Sequence, residues 1–434
     1  MATIDANPPS GTRDFLPADM ALRQWAFATI GEVFRRHGFD PLDTPAFERL
    51  DVLTGKYGEE GDQLIFKILR RGEHESSGQA DLALRYDLTV PLARVAARYG
   101  SQLPTPFKRY QIAPVWRADR PGKGRFREFI QCDLDTVGST SLTADAATIH
   151  AVTDALAALG IEGYTVQLNH RAALRAMIEA YGIGSEREAD ALVALDKLAK
   201  VGVAGVADEL RQREIPDVAV AALEADLAAG SDALVERIAA TPAGHAALGE
   251  LGALQDLVGD VSGGQVVHAP VLARGLSYYT GAVFEVVHDD LDATIAAGGR
   301  YDGLIGMFQQ QDVAATGGSL GLERILLLLE SRADVPAAAG PQVVVTIVDE
   351  GDAREMLVLA AEVRRAGITV DVFAGTGRLG KQLKYADRRN AQVALIVGRD
   401  EVQAGTVSCK VLASGEQQTV VRDDLIKTLR GLLA

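Results

Sequence analysis

FKRYQIAPVWRADRPGKGRFREFIQCDLDTVG, residues 107–138, is the stretch whose reading decides the fold. Its first run places Arg109, Gln111, Ala113, Val115 and Arg117 on one face of an extended segment, and a turn follows at Pro121-Gly122. The second run puts Phe126, Ile130, Cys132 and Leu134 on one face and Arg127, Phe129, Gln131, Asp133 and Asp135 on the other. This alternation predicts a long-looped β-hairpin with one face for a core and one for a site. Between positions 108 and 127, Lys108, Arg109, Arg117, Arg120, Lys123, Arg125 and Arg127 stand against Asp119 alone, so an anionic ligand is expected. The competing reading is a solvated hairpin tip with ordinary surface charge.

Around the hairpin, 434 residues are enough for two or three domains, and 47% apolar against 24% charged residues can bury sizeable cores. The amino terminus lacks a basic region followed by an apolar core, and the longest strongly apolar run, ILLLL at 325–329, is too short to span a bilayer. A soluble, cytoplasmic protein without a membrane partner is expected. Two cysteines, Cys132 and Cys409, give no disulfide framework and no cysteine zinc site, and the seven histidines show no paired ligand spacing. No metal held by protein side chains and no organic cofactor is expected. A net charge of −15 argues against a protein that coats nucleic acid indiscriminately, but not against RNA met through local basic patches.

Residues 19–37 carry apolar positions at helical spacing, with Asp19 placed to cap the start and Gly38 to end the helix. In LRYDLTVPLARVAARYG, 84–100, a strand gives way to a helix, and Asp87 and Thr89 at the junction suit helix capping or the holding of an ammonium group. A helix is expected over 142–159 and a strand over 165–170. From 171 to about 264 the composition turns to Ala, Leu, Val and Glu at helical spacing. Eight basic against sixteen acidic residues over 171–260 give that segment about −8, which disfavours direct gripping of phosphates. VLARGLSYYTGAVFEV, 271–286, reads as a strand with paired tyrosines, whereas AAGGRYDGLIGMF, 296–308, is Gly-rich and lets a backbone approach a ligand closely. GGSLGLERILLLLE, 317–330, runs from glycines into an apolar helix, and ADVPAAAG, 333–340, is a linker by composition. Beyond it β-α-β-α-β alternation implies a compact domain with parallel strands. GTGRLG, 375–380, with Asp400 twenty positions on, satisfies a dinucleotide fingerprint on paper. The glycines follow the second strand of the unit rather than the first, and too little chain remains for two mononucleotide halves, so a nicotinamide-dependent oxidoreductase is disfavoured.

An Arg at the end of one strand, a basic loop, then FRE and an acid-bearing strand resembles motif 2 of the class II aminoacyl-tRNA synthetases. With RGLSYYTG at 274–281, the chain resembles the histidyl-tRNA synthetase family over nearly its whole length. GTRDFLP, 11–17, is similar to that family's amino-terminal signature, and 39–50 to motif 1, which builds the dimer interface. Arg324 matches motif 3. The family usually has Asp where Ser277 stands.

The resemblance implies an α+β catalytic domain with a mostly antiparallel sheet in two parts, 1–170 and 265–332. A small helical insertion at 171–264 and a C-terminal α/β anticodon-binding domain at 341–434 complete it. It implies a homodimeric enzyme that joins L-histidine to ATP as histidyl-adenylate, with Mg²⁺ on the nucleotide. Histidine then passes to the 3′ end of tRNA(His), with AMP and diphosphate released. Arg117 would hold the α-phosphate, Arg274 would approach it from the other side, and Arg125 and Arg324 would bind the rest of ATP. Asp87, Thr89 and Gln131 would surround the α-amino group, and Asp135, Tyr278, Tyr279, Gly298, Gly299 and Tyr301 the rest of histidine. Arg120 and Lys123 in the hairpin loop, and Arg378, Lys381, Lys384, Arg388 and Arg389 along one later helix, would meet tRNA. The rival in the same fold is the synthetase-like regulatory subunit of ATP phosphoribosyltransferase, a binding module that charges no tRNA.

Overall fold

A computed structural model describes residues 4–72, 77–122, 124–273, 278–330, 332, 340–348, 350–375 and 377–433. The hairpin forms as strands Phe107–Trp116 and Glu128–Val137, in a register that sets Arg109 opposite Asp135, Gln111 opposite Asp133 and Ala113 opposite Gln131. Directly opposed residues share a face, so the polar residues of both runs project together. On the other face Tyr110 packs edge-on against Phe34 of the helix Pro17–Arg36, with ring centres 5.8 Å apart, and Cys132 and Leu134 are fully buried.

Alternation fails at the mouth of the return strand. Phe126 lies before the first strand residue, Glu128, and lines the cavity described below instead of the core. Arg127 turns away and donates from Nε to the Asp119 carbonyl at 3.1 Å and from Nη1 to that of Ser10 at 3.2 Å. A period of two describes side chains only where strand pairing holds the backbone.

Among the described residues the hairpin belongs to an eight-stranded sheet. Its order is Asp40–Pro41, Phe107–Trp116, Glu128–Val137, Ala315–Gly321, Leu291–Arg300, Ala282–His288, Tyr164–His170 and Gly264–His268. Only the two end pairs are parallel. The helices Leu142–Ala158 and Leu322–Leu329 pack on it. The helix Pro17–Arg36 begins two residues before Asp19, because Pro17 supplies a preset helical φ, and Gly38 ends it at φ 78°.

Residues 171–258 fold into six helices among the described residues, around Leu174, Met177, Leu195, Leu210 and Leu223. By compactness the chain divides into two units, 1–15 with 23–335 and 16–22 with 336–434. The second holds a five-stranded sheet in the order Val370–Val372, Val343–Val345, Val393–Ile396, Thr406–Val411 and Gln417–Val421. Its first three strands are parallel, as the alternation predicts, and its last two add antiparallel pairs that the pattern did not announce. GTGRLG follows the edge strand Val370–Val372 and leads into the helix Leu379–Arg388, with Thr376 outside the described residues.

Candidate functional site

The polar face of the hairpin opens into a cavity of about 680 Å³. It is lined by Asp87, Thr89, Arg117, Arg125, Gln131, Asp135, Tyr278, Tyr279, Gly298, Tyr301 and Arg324, so eleven of the predicted site residues meet in one place. Gly299 does not line it; a Cβ there would meet the Ala282 carbonyl at 2.5 Å and the Tyr279 ring at 3.1 Å. Gly298 has no room for one either, because the Gly317 carbonyl and the Phe284 ring occupy that space. Arg274, Ser277, Lys123 and most of the linker, 333–339, lie outside the described residues. Arg120 is exposed and does not line the cavity.

Asp87 caps the helix with one oxygen and leaves the other without a partner. The helix Thr89–Tyr99 begins just after it, and Oδ1 accepts the Val90 N–H at 3.0 Å and the Tyr57 hydroxyl at 3.1 Å. Its Oδ2 is buried and has no hydrogen-bond partner. Burial raises the carboxyl's pKa, and the backbone bond from Val90 and the Arg117 charge oppose the rise. A cation against Oδ2 would complete the carboxylate.

Asp135 sits deeper, 2% exposed. The Tyr301 hydroxyl donates to its Oδ1. Arg109 Nη2 lies 2.7 Å from its Oδ2, close enough for an ion pair but not aligned as a hydrogen bond, so Oδ2 keeps a lone pair for another donor. Burial raises the Asp135 pKa and Arg109 pulls it back. Tyr278 and Tyr301 are buried, which pushes both phenols well above their ordinary range and keeps them as neutral donors. Gln131 donates from Nε2 to Ser319 Oγ at 3.3 Å, and its buried Oε1 is unpartnered.

Asp133 is a site residue that the sequence placed on the right face without giving it a role. It is 2% exposed, lines the cavity, and has an unpartnered Oδ1. Burial first, then the neighbouring Asp135 charge against the pull of Arg109, raises its pKa to about 7. The available signal was its two-residue spacing from both Gln131 and Asp135.

Fewer of the hairpin's cations serve the cavity than their number suggests. Lys108 Nζ donates to the His37 carbonyl at 2.6 Å, and Arg109 and Arg127 are engaged as described. Arg117 remains: its Nε donates to the Tyr86 carbonyl at 3.0 Å, and its guanidinium lies 4.4 Å from the Tyr86 ring centre and 5.2 Å from that of Phe129. Arg125 reaches Asp119 at 2.7 Å, and Arg324 Nη1 donates to the Thr294 carbonyl at 2.6 Å. Phe126 and Phe129 line the cavity with these fixed guanidinium groups, which suits a flat base joined to a polyphosphate.

The amino-terminal signature braces this region. Arg13 stacks 3.4 Å above the Phe126 ring and pairs with Glu323, which also receives Arg23 Nη2 at 2.6 Å. The Gly11 carbonyl accepts the Arg127 N–H at 2.8 Å, and a side chain at Gly11 would strike Arg127 Cγ at 2.8 Å. From the helical segment, Asp196 and Ala199 line the same cavity. In the second unit Arg378, Lys381, Lys384, Arg388 and Arg389 are all exposed, and Arg389 is engaged by Asp371 at 3.2 Å.

One cavity therefore gathers buried acids that await a cationic or N–H-bearing group and arginines suited to phosphates. The family profile described as histidyl-tRNA synthetase matches residues 11–325, and one described as an anticodon binding domain matches 342–432. A histidine--tRNA ligase of Rhodopirellula baltica is 40% identical over 94% of each chain, and one of Cytophaga hutchinsonii is 39% identical over 97% of this chain and 98% of that one. Among solved structures, the histidyl-tRNA synthetase of Nostoc sp. PCC 7120 superposes with a TM-score of 0.79 at 29% identity, covering 99% of this chain and 100% of that one. A Bacillus halodurans protein described as an ATP phosphoribosyltransferase regulatory subunit/histidyl-tRNA synthetase shares the fold with a TM-score of 0.71 at 24% identity, covering 88% and 97%. Fold alone thus leaves the rival standing. The profile matches and the near-full-length ligase relatives decide the matter: this chain belongs to the histidyl-tRNA synthetase family of class II aminoacyl-tRNA synthetases.

Proposed function

We propose that the cavity is where this chain, an ATP-dependent histidine--tRNA ligase by family, makes histidyl-adenylate. The carrying observation is Asp87 Oδ2, buried and unpartnered in the same cavity as Arg117. An α-ammonium group on Asp87, with Thr89 and Gln131 beside it, would bring the substrate carboxylate towards phosphate held by Arg117. Asp135 Oδ2 would accept one imidazole N–H, and Tyr279 would meet the other nitrogen. The carboxylate attacks the α-phosphorus and diphosphate leaves. Two anions approach in that step, so cations must flank them. Arg117 supplies one, and Arg274, by family resemblance, the other. Arg125 and Arg324 would hold the outer phosphates, with Mg²⁺ arriving on the nucleotide. Among the described residues no His, Cys, Asp or Glu cluster is grouped to hold a metal by itself.

Transfer of the histidyl group to the tRNA 3′ end with release of AMP completes the reaction. For that step 1–170 and 265–332 would act as the catalytic domain, 171–264 as the insertion, 333–340 as the linker and 341–434 as the anticodon reader. A homodimer built on the segment around 39–50, working in the cytoplasm, is the assembly the family resemblance favours. Half-exposed Phe47 within that segment supports it. Among the described residues no helix is long and apolar enough to cross a membrane.

Amino-acid-dependent pyrophosphate exchange tests the site. Histidine alone among the twenty amino acids should support exchange. Asp135→Ala should raise the histidine KM by about tenfold or more while the ATP KM stays within about twofold, since an unmet hydrogen bond to a substrate N–H costs roughly 1–3 kcal/mol. A histidine KM within twofold of the parent would remove Asp135 from the pocket.

A further inference from the structure

Arg109 carries its charge wholly inside the hairpin: its side chain is 0% exposed. Its position follows from strand register, which sets it directly opposite Asp135. Nη2 donates to the Leu88 carbonyl at 3.0 Å and lies 2.7 Å from Asp135 Oδ2 in an ion pair. Leu88 lies between Asp87 and Thr89, the two residues read above as holding the α-amino group. Nε and Nη1 are buried without hydrogen bonds. A guanidinium that leaves two of its nitrogens unmet in a dry interior costs stability, so packing alone does not account for it. Its charge acts on all three acids, Asp87, Asp133 and Asp135, each at most 3% exposed.

We propose that Arg109 is a positioning residue for amino-acid specificity, a buried brace that fixes the distance between the imidazole acceptor Asp135 and the α-amino loop Asp87–Thr89. The two halves of the pocket come from different elements, a sheet strand and a strand-to-helix junction, and within the hairpin Arg109 is what touches both. A substrate longer or shorter than histidine between its amino group and its ring nitrogen would then meet one subsite and miss the other. ATP, which Arg117, Arg125 and Arg324 would hold, would lie outside the brace.

This inference rests on the assignment of Asp135 as the imidazole acceptor, and Asp135→Ala tests that assignment separately. Arg109→Lys and Arg109→Met are to be compared with the parent in pyrophosphate exchange, with histidine and ATP each varied and thermal melting measured alongside. The expected result is a histidine KM raised by about tenfold or more in Arg109→Met, an ATP KM within about twofold, and an intermediate histidine KM in Arg109→Lys, which keeps the charge but not the fork. If Arg109→Met does not melt cooperatively, Arg109→Lys decides by the same split between the two KM values. The brace is overturned if Arg109→Lys, or a folded Arg109→Met, leaves the histidine KM unchanged or moves both KM values equally. Should Asp135→Ala raise the histidine KM while the Arg109 variants do not, the pocket stands and the brace falls.

Discussion

Asp133 and Asp135 share one buried cation, Arg109, and burial raises the Asp133 carboxyl to about 7. An acid whose folded-state pKa exceeds its unfolded value of 3.8 favours the fold while both forms are protonated, and that stability is lost as pH rises to about 7. Asparagine has the shape of the neutral acid and cannot ionise. The melting temperature of Asp133→Asn relative to the parent should therefore climb between about pH 4 and about pH 7, by on the order of a few degrees. A difference that stays flat over that range would mean that Asp133 titrates like an exposed carboxylate. The sequence did not disclose this, because alternation tells which face a residue is on but not how many carboxylates that face must keep dry. Arg109 misled in the same way: counted from the sequence it is one more charge for an anion, but the register gives that charge to Asp135.

At the scale of elements, the segment 10–15 acts on the hairpin from a distance in sequence of more than a hundred residues. Gly11 adopts φ 83°, which lets its carbonyl take the Arg127 N–H, and Arg13 covers Phe126 at the cavity mouth. Arg13 is about one-third exposed, so its pairing with Glu323 is partly screened and the stacking on Phe126 weighs as much. Arg13→Ala should raise the ATP KM by about threefold to tenfold and leave the histidine KM near the parent's, as roughly 1 kcal/mol of lost bracing implies. Equal changes in both KM values would mean a general loss of fold instead. The hairpin strands, the helices at 17–36 and 142–158 and the parallel strands of the second unit were legible because each repeats a period over many residues. The packing of 10–15 on the hairpin, the antiparallel pair 406–421 and the exit of Arg127 were not. They depend on contacts between distant segments or on where pairing stops, and no local period encodes either.

For the whole molecule, the two units set out their charged residues differently. Asp87, Asp133 and Asp135 of the first unit are buried around the cavity, whereas Arg378, Lys381, Lys384 and Arg388 are exposed along the helix Leu379–Arg388 and its N-terminal flank. That helix is fixed from below by Gln382, whose Nε2 donates to the Ile347 carbonyl at 2.7 Å and whose Oε1 accepts the Ile347 N–H at 2.8 Å. The basic face is thus held rigidly although the chain as a whole carries −15. Phosphate contacts made by these side chains would release counterions, so each one lost would weaken tRNA binding uniformly and flatten its salt dependence by about one unit of slope. Lys384→Glu combined with Arg388→Glu should therefore lower kcat/KM for tRNA by about tenfold or more at low salt, with a smaller deficit as salt rises. Histidine-dependent pyrophosphate exchange, which needs no tRNA, should stay within about twofold of the parent. Aminoacylation measured at several salt concentrations beside exchange at one separates the outcomes: a matched loss in both would place the damage in the catalytic unit, and a loss independent of salt would mean that these side chains do not meet phosphate.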